Sequence, residues 1–143
     1  MMRVLFVCYG NACRSQMADV IARQDARDVM TVDSAGLVPL GYVPELTTST
    51  LEKNGYPAAG LRSKPISLEM WTAADLVVNM SGEPRERAFK DFAKVEDWEV
   101  EDPFGEDPAV YQRIFEEIRK RIAELTMRLR KKSKRRDPER TTV

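Results

Sequence analysis

Apolar and polar positions follow two different rhythms along the chain. Continuous apolar or β-branched runs occupy residues 4–7, 30–36 and 74–80, and a weaker run occupies residues 94–100. Runs of this length predict β-strands, and a run without polar interruptions is typical of a strand buried on both faces. The pattern therefore predicts four strands, of which the first is buried on both faces.

The segments between and after these runs carry apolar side chains at helical spacing. We predict five helices. The first covers residues 15–27, the second begins at Pro44, the third is capped by Ser67, and the fourth covers residues 81–93. The fifth is long, is capped by Asp107 and has Pro108 as its first residue. The last helix has the clearest apolar stripe, formed by Val110, Ile114, Ile118, Ile122, Leu125 and Leu129. Serine and aspartate are common caps, and proline suits the first turn.

Strands that alternate with helices predict an α/β fold. We expect a single three-layer domain over residues 1–130, with a four-stranded parallel sheet, helices on both faces and a phosphate-binding loop after the first strand. The basic segment 131–143 resembles a frayed helix end followed by a solvated, disordered tail. Binding to an acidic partner is the alternative interpretation of that tail.

Composition removes several classes of function. The 143 residues include 23 basic and 23 acidic side chains, so no net positive charge points to nucleic acid. Histidine is absent, which excludes histidine bases and histidine metal ligands. Two cysteines five positions apart form neither a disulfide framework nor a zinc site, so we expect no metal and no cofactor.

Hydropathy bears on the compartment. No segment approaches the roughly 20 apolar residues of a membrane span. The apolar run near the N-terminus is too short for a signal-peptide core. We therefore expect a cytoplasmic protein, without a membrane partner, whose thiols stay reduced.

The segment between the first strand and the first helix carries the candidate chemistry. Cys8 lies at the carboxyl end of the strand, where ligands bind in open α/β sheets. The following helix begins with free N–H groups and a favourable dipole, so it attracts anions. Gly10 and Asn11 tolerate left-handed backbone angles, so the loop can turn its N–H groups inward.

Two side chains complete this predicted anion site. The loop amides favour the thiolate form of Cys8, and Arg14 offers a planar fork for two oxygens of an oxyanion. Ser15 either donates a hydrogen bond to the thiolate or caps the helix. Taken alone, such a cysteine is usually a small core residue and such an arginine is usually solvated. Their combination at this place favours a functional site.

The stretch "CYGNACRS" resembles the phosphate-binding signature Cys-x5-Arg-Ser/Thr of the low-molecular-weight protein-tyrosine phosphatases. The similarity extends to "DSAG", "ADLVV" and "EDPFGED" and covers residues 3–129. It implies that Cys8 is a nucleophile that forms a phosphocysteine, and that Arg14 and the loop amides hold the phosphoryl oxygens. Arsenate reductases of the thioredoxin-coupled type share this fold and loop.

The resemblance also assigns roles to further residues. It implies that Asp102, in "EDPFG", is the general acid, although Asp-Pro is also a common turn opener. Cys13 corresponds to a second loop cysteine that can form a disulfide with Cys8; the alternative is a small buried residue. The substrate-binding set implied by the resemblance comprises Tyr9, Gly10, Asn11 (which braces the loop), Ala12, Cys13, Ser15, Leu40, Tyr42 and Phe104.

Four positions depart from the family pattern and bear on specificity. The loop after "SAG" has no Trp, so Leu40 or Tyr42 is expected to form the wall of the substrate site. Phe104 follows Asp-Pro where Tyr is common, and Ala12 is small where tyrosine-specific members often have a larger aliphatic residue. Many members have an acidic residue directly after the third strand, where this chain reads "NMSG".

The sequence thus favours a phosphatase that hydrolyses phosphotyrosine or another aryl phosphate monoester. Its expected partners are a phosphorylated protein or a small aryl phosphate, bound by a monomer or weak dimer. The alternative is an arsenate reductase that uses an external small thiol or Cys13. Thioredoxin-coupled arsenate reductases need two further cysteines after the third strand to relay the disulfide. Both are missing here, because Met80, Ser81 and Gly82 occupy that segment. A non-enzymatic phosphate-binding module is less well supported, because nucleophile, arginine and acid are all present.

Overall fold

A computed structural model describes residues 1–136 of the chain. Four strands form one parallel sheet, with the order β2-β1-β3-β4. The elements in chain order are β1 (Met2–Cys8), α1 (Arg14–Asp25), β2 (Met30–Gly36), α2 (Glu45–Lys53), α3 (Leu68–Ala73), β3 (Leu76–Asn79), α4 (Arg85–Ala88), β4 (Val95–Asp97) and α5 (Pro108–Arg136). The α/β class and the four-stranded parallel sheet predicted from the sequence are confirmed.

Two apolar clusters, one on each face of β1, make the fold three-layered. On one face, Val4 and Phe6 pack with α1, the end of α2 and the buried stripe of α5. On the other face, Leu5 and Val7 pack with Val77 and side chains in and beside α3 and α4. Burial of β1 on both faces follows from its unbroken apolar sequence.

Several elements differ in length from the prediction. β1 extends to Met2 and Cys8, because it pairs along its whole length with β2. The third and fourth strands shrink to four and three residues, and only three residue pairs join them. The helix predicted over residues 81–93 is only the single turn α4. It begins after Pro84 and ends where Phe89 adopts an extended backbone.

Helix starts follow the predicted caps in part. Ser67 caps α3 by accepting a hydrogen bond from the backbone N–H of Met70. The side chain of Asp107 accepts one from the N–H of Val110, and α5 begins at Pro108 as expected. Pro44, in contrast, precedes α2 instead of opening it, because its backbone is extended.

The boundary predicted at residue 130 falls within α5. α5 continues to Arg136, because Arg and Lys are good helix formers and Leu129 is still buried in the core. Arg130 also pairs with Asp28, in the segment between α1 and β2. Residues 131–135 are exposed within this helix, and the remainder of the predicted tail, 137–143, lies outside the described residues.

Candidate active site

The candidate site lies where β1 ends and α1 begins. The signature loop, residues 9–13, runs from Cys8 to Arg14 across the carboxyl edge of the sheet. The segment after β2 supports it, because the N–H groups of Leu37, Val38 and Leu40 donate to the carbonyls of Cys8, Tyr9 and Gly10. Six backbone groups that a free loop would leave to water are thereby paired.

One residue of the signature loop has a left-handed backbone. Asn11 has a φ of 49°, whereas Gly10, also expected there, stays outside the left-handed region. The end of β2 approaches the loop so closely that a Cβ at Gly36 would lie 2.9 Å from the Asn11 nitrogen. Gly36, the last residue of "DSAG", is therefore required for close approach of these two backbones.

Within residues 1–136, the Cys8 sulfur forms a hydrogen bond with one side chain. Ser15 Oγ lies 2.9 Å from Cys8 Sγ, and Asn11 Nδ2 donates to the same oxygen at 2.7 Å. All three residues are buried. No side chain among the described residues caps α1, so Ser15 contacts the candidate nucleophile and does not act as a helix cap.

Arg14 is buried and almost fully engaged. Its Nη1 donates to the carbonyls of Met80 and Val100 at 2.5 and 3.1 Å, so the ends of the third and fourth strand regions hold it in place. Its Nη2 lies 3.5 Å from Asp102 Oδ2. Its Nε is the one buried side-chain nitrogen or oxygen that lacks a partner in the described part of the chain. A bound oxyanion would supply the missing acceptor.

Asp102 joins the site from the loop before α5. Its side chain is 51% exposed, and Oδ1 accepts a hydrogen bond from the N–H of Phe104 at 3.1 Å. The carboxylate is therefore oriented by its own loop while it faces Arg14. The structure brings Cys8, Arg14 and Asp102 together at one edge of the sheet, as the resemblance implied.

Cys13 lies on the inner side of the signature loop. Its sulfur is 3.5 Å from the hydroxyl of Tyr111 on α5. Burial raises the pKa of the Cys13 thiol, and its hydrogen bonds to Thr47 and Tyr111 oppose this effect only in part. Burial likewise raises the pKa of Tyr111. Both groups are therefore protonated at neutral pH, and Cys13 fits the description of a small buried residue as well as that of a reserve thiol.

Four exposed apolar side chains surround the site. Tyr9 belongs to the signature loop, and Leu40 lies beside Gly10. Tyr42 contributes to the raised pKa of the Tyr111 hydroxyl, and Phe104 follows Asp102 by two positions. Between 38% and 56% of each remains exposed. Ala12, in contrast, is buried, and its carbonyl accepts a hydrogen bond from Thr47. The expected wall residues are thus available to a substrate, whereas Ala12 faces the protein.

A family model described as low molecular weight phosphotyrosine protein phosphatase matches residues 3–135. The chain belongs to this family. Members with different activities resemble it to a similar degree. The glutaredoxin arsenate reductase of Synechocystis sp. is 29% identical over 133 residues, which are 90% of this chain and 99% of that protein.

Solved structures that resemble this chain are also named for different activities. The YwlE arginine phosphatase from Geobacillus stearothermophilus has a TM-score of 0.83 at 27% identity, with 92% of this chain and 95% of that chain covered. The low molecular weight protein tyrosine phosphatase from T. tengcongensis has a TM-score of 0.82 at 30% identity, covering 90% and 100%. This phosphatase-family chain therefore has neighbours named for two kinds of phosphatase and for arsenate reduction.

Four residues of this family member contribute to the site without having been predicted from the sequence. Gln16 and Lys64 bind Asn11, while Thr47 and Tyr111 contact Cys13 or the carbonyl of Ala12. Gln16 had a weak signal, because it directly follows Ser15 at the start of a helix. The other three are distant in sequence and belong to segments without a motif.

Residues 1–136 lack two features, a metal-binding cluster and a membrane-spanning helix. No group of three or more His, Cys, Asp or Glu side chains there could hold a metal ion. No helix in the same range is long and apolar enough to cross a membrane.

Proposed function

We propose that this protein is a phosphatase that hydrolyses phosphate monoesters, with phosphotyrosine in proteins or small aryl phosphates as substrates. The observation that carries the proposal is the convergence of a buried thiol, a buried arginine with an unpaired Nε, and a half-exposed carboxylate. These are a nucleophile, an oxyanion ligand and a proton donor. Four exposed apolar side chains around them suit an aromatic leaving group.

The first half of the reaction transfers the phosphoryl group to the enzyme. The Cys8 thiolate attacks phosphorus, a P–S bond forms and the ester P–O bond breaks. Arg14 and the N–H groups of the signature loop stabilise the equatorial oxygens. A dianionic phosphate beside Arg14 replaces Asp102 as its counter-ion, so it favours the protonated acid. Asp102 then gives its proton to the leaving oxygen.

The second half returns the enzyme to its starting state. The Asp102 carboxylate takes a proton from water, the resulting hydroxide attacks phosphorus, and the P–S bond breaks. Inorganic phosphate leaves and Cys8 is again a thiolate. The proton given in the first half is recovered in the second, so no cofactor enters the balance.

Arsenate reduction is the second candidate, because curated relatives carry that name and arsenate has the shape and charge of phosphate. Reduction of arsenate to arsenite consumes two electrons. Cys8 and Cys13 could supply them as a disulfide, or Cys8 could supply one with an external thiol. The chain contains only two cysteines. A reductase built on it would therefore need an external thiol in every turnover.

A side-by-side assay separates the two. Purified protein is offered an activated aryl phosphate, a phosphotyrosine peptide and a phosphoarginine peptide, and separately arsenate with glutathione, glutaredoxin or thioredoxin. We expect phosphate release from the aryl phosphates, its loss in Cys8→Ser and its retention in Cys13→Ser. Multiple turnovers of arsenite formation without aryl phosphate hydrolysis would overturn the proposal.

A further inference from the structure

The side-chain amide of Asn11 is held in one defined orientation. Its Oδ1 lies 2.9 Å from the backbone nitrogen of Lys64 and 3.0 Å from Gln16 Nε2. A backbone N–H can only donate, so the atom that faces Lys64 must be the amide oxygen. The other amide atom, Nδ2, consequently faces Ser15 Oγ at 2.7 Å and donates to it.

This orientation fixes the direction of the next hydrogen bond. Ser15 Oγ accepts from Asn11, so its own hydroxyl proton is available for Cys8 Sγ at 2.9 Å. A hydrogen bond donated to sulfur stabilises the thiolate, which can accept but has no proton to give. The polarity of the chain from Lys64 through Asn11 and Ser15 thus favours the ionised form of Cys8.

Gln16 is a second group that holds the Asn11 amide in this series of hydrogen bonds. Its Nε2 lies within hydrogen-bond distance of three oxygens: Asn11 O at 3.1 Å, Asn11 Oδ1 at 3.0 Å and Arg62 O at 2.7 Å. All three of these oxygens accept, so the amide atom that faces them must be the NH2 nitrogen, whose two N–H groups are shared among them. Gln16 is 2% exposed, and water cannot easily replace it.

We propose that Gln16 is a positioning residue which, through Asn11 and Ser15, keeps Cys8 in its thiolate form. Gln16 has no hydrogen bond to the Cys8 sulfur and acts only by holding the Asn11 amide in the orientation that donates to Ser15. This inference rests on the proposed nucleophilic role of Cys8. A purely structural role, in which Gln16 only joins α1 to the segment around Arg62, is the competing explanation.

Alkylation of Cys8 distinguishes the two roles without an activity assay. The rate of iodoacetamide addition to Cys8 is measured against pH, with peptide mass spectrometry separating Cys8 from Cys13, in wild type, Gln16→Met and Gln24→Met. Gln24 lies two turns further along α1, is exposed and makes no side-chain hydrogen bond within residues 1–136, so it is the matched control. Thermal unfolding is recorded for each protein.

For Gln16→Met we expect the midpoint of the alkylation profile to rise by about one pH unit, which is a tenfold smaller thiolate fraction below the midpoint. The midpoint of the acidic limb of kcat/KM on an activated aryl phosphate should move to higher pH with it, and Gln24→Met should match wild type. An unchanged midpoint in a folded Gln16→Met, or an equal shift in Gln24→Met, overturns the inference.

Two further outcomes are separated by design. If Gln16→Met does not fold, Asn11→Asp replaces it, because a carboxylate still accepts from Lys64 but cannot donate to Ser15; an unshifted profile there overturns the inference. If wild-type Cys8 itself alkylates with the profile of an ordinary thiol, the nucleophile of the proposed function fails. A low wild-type midpoint that no variant moves refutes the role of Gln16 alone.

Discussion

Replacing Asp102 by Asn tests the proposed proton donor with little change in shape. Asp102 Oδ1 accepts a hydrogen bond from the N–H of Phe104 at 3.1 Å, and the Asn side chain can still accept it. It has no acidic proton to give and no charge to pair with Arg14. The control is Asp107→Asn, because Asp107 also precedes a proline, lies on the same loop and caps α5 in a way that Asn can reproduce.

The structure separates the effect on stability from the effect on catalysis. The ion pair between Asp102 and Arg14 has an N···O distance of 3.5 Å, and the carboxylate is 51% exposed. Such a pair contributes about 0–1 kcal/mol to the free energy of unfolding. Loss of general acid catalysis lowers the rate by roughly 10²–10⁴-fold. Asp102→Asn should therefore unfold nearly like wild type while it turns over much more slowly.

The size of the kinetic loss should depend on the leaving group. A phenol with an electron-withdrawing ring leaves without a proton, whereas a tyrosine-like phenol requires one. The measurement is the single-turnover rate of phosphocysteine formation for a series of aryl phosphates, plotted against leaving-group pKa. We expect a steeper negative slope for Asp102→Asn than for wild type and Asp107→Asn. Parallel lines for all three proteins would refute the assignment and direct attention to Glu101 or Glu106.

Two further predictions concern the signature loop. In Arg14→Lys, one ammonium cannot hold the carbonyls of Met80 and Val100 and also form a fork on the oxyanion. We therefore expect kcat/KM for an aryl phosphate to fall by about 10²–10³-fold. A loss of less than tenfold, or an equal loss in the exposed Arg23→Lys, contradicts this. Because burial raises the pKa of Cys13, that thiol should resist alkylation at neutral pH while Cys8 reacts. Peroxide should oxidise Cys8 to a sulfenic acid, which Cys13 then converts to a disulfide with release of water. The oxidised Cys13→Ser variant should recover less activity on reduction than the wild type. Mass spectra without a Cys8–Cys13 linkage would disprove this step.

Local sequence patterns were sufficient for the elements that depend on local rules. β2 has the predicted bounds, and the caps at Ser67 and Asp107 form as expected, because each follows from residues only a few positions apart. Lengths were predicted poorly where a neighbour decides them. The fourth strand has only three residues because its partner β3 is itself short. The sequence of residues 94–100 alone does not show how long that partner is.

The nearness of the main candidate residues was predictable from the sequence, but their supporting contacts were not. Cys8, Arg14 and Asp102 could be placed together because their motifs are compact and a parallel sheet brings the carboxyl ends of its strands to one edge. Contacts across the fold have no such signal. Lys64 reaches Asn11 across 53 positions, and Tyr111 reaches Cys13 across 98. Every residue type except proline has a backbone N–H, so the identity of Lys64 gives no sign that its N–H donates to Asn11.

The surroundings of the two cysteines support hydrolysis over reduction. The signature loop and Arg14 distinguish phosphate from arsenate poorly, because both are tetrahedral anions of similar charge. The fate of the Cys8 adduct depends on the group that reacts with it. Asp102 is half exposed and already faces Arg14, so a leaving group or a water molecule can reach it. Cys13 is buried, protonated at neutral pH and hydrogen-bonded to Tyr111, so its reaction with Cys8 requires these contacts to break. The carboxyl group that would exchange protons with the leaving group and water is therefore in place before substrate binds, whereas a second reactive thiol is not.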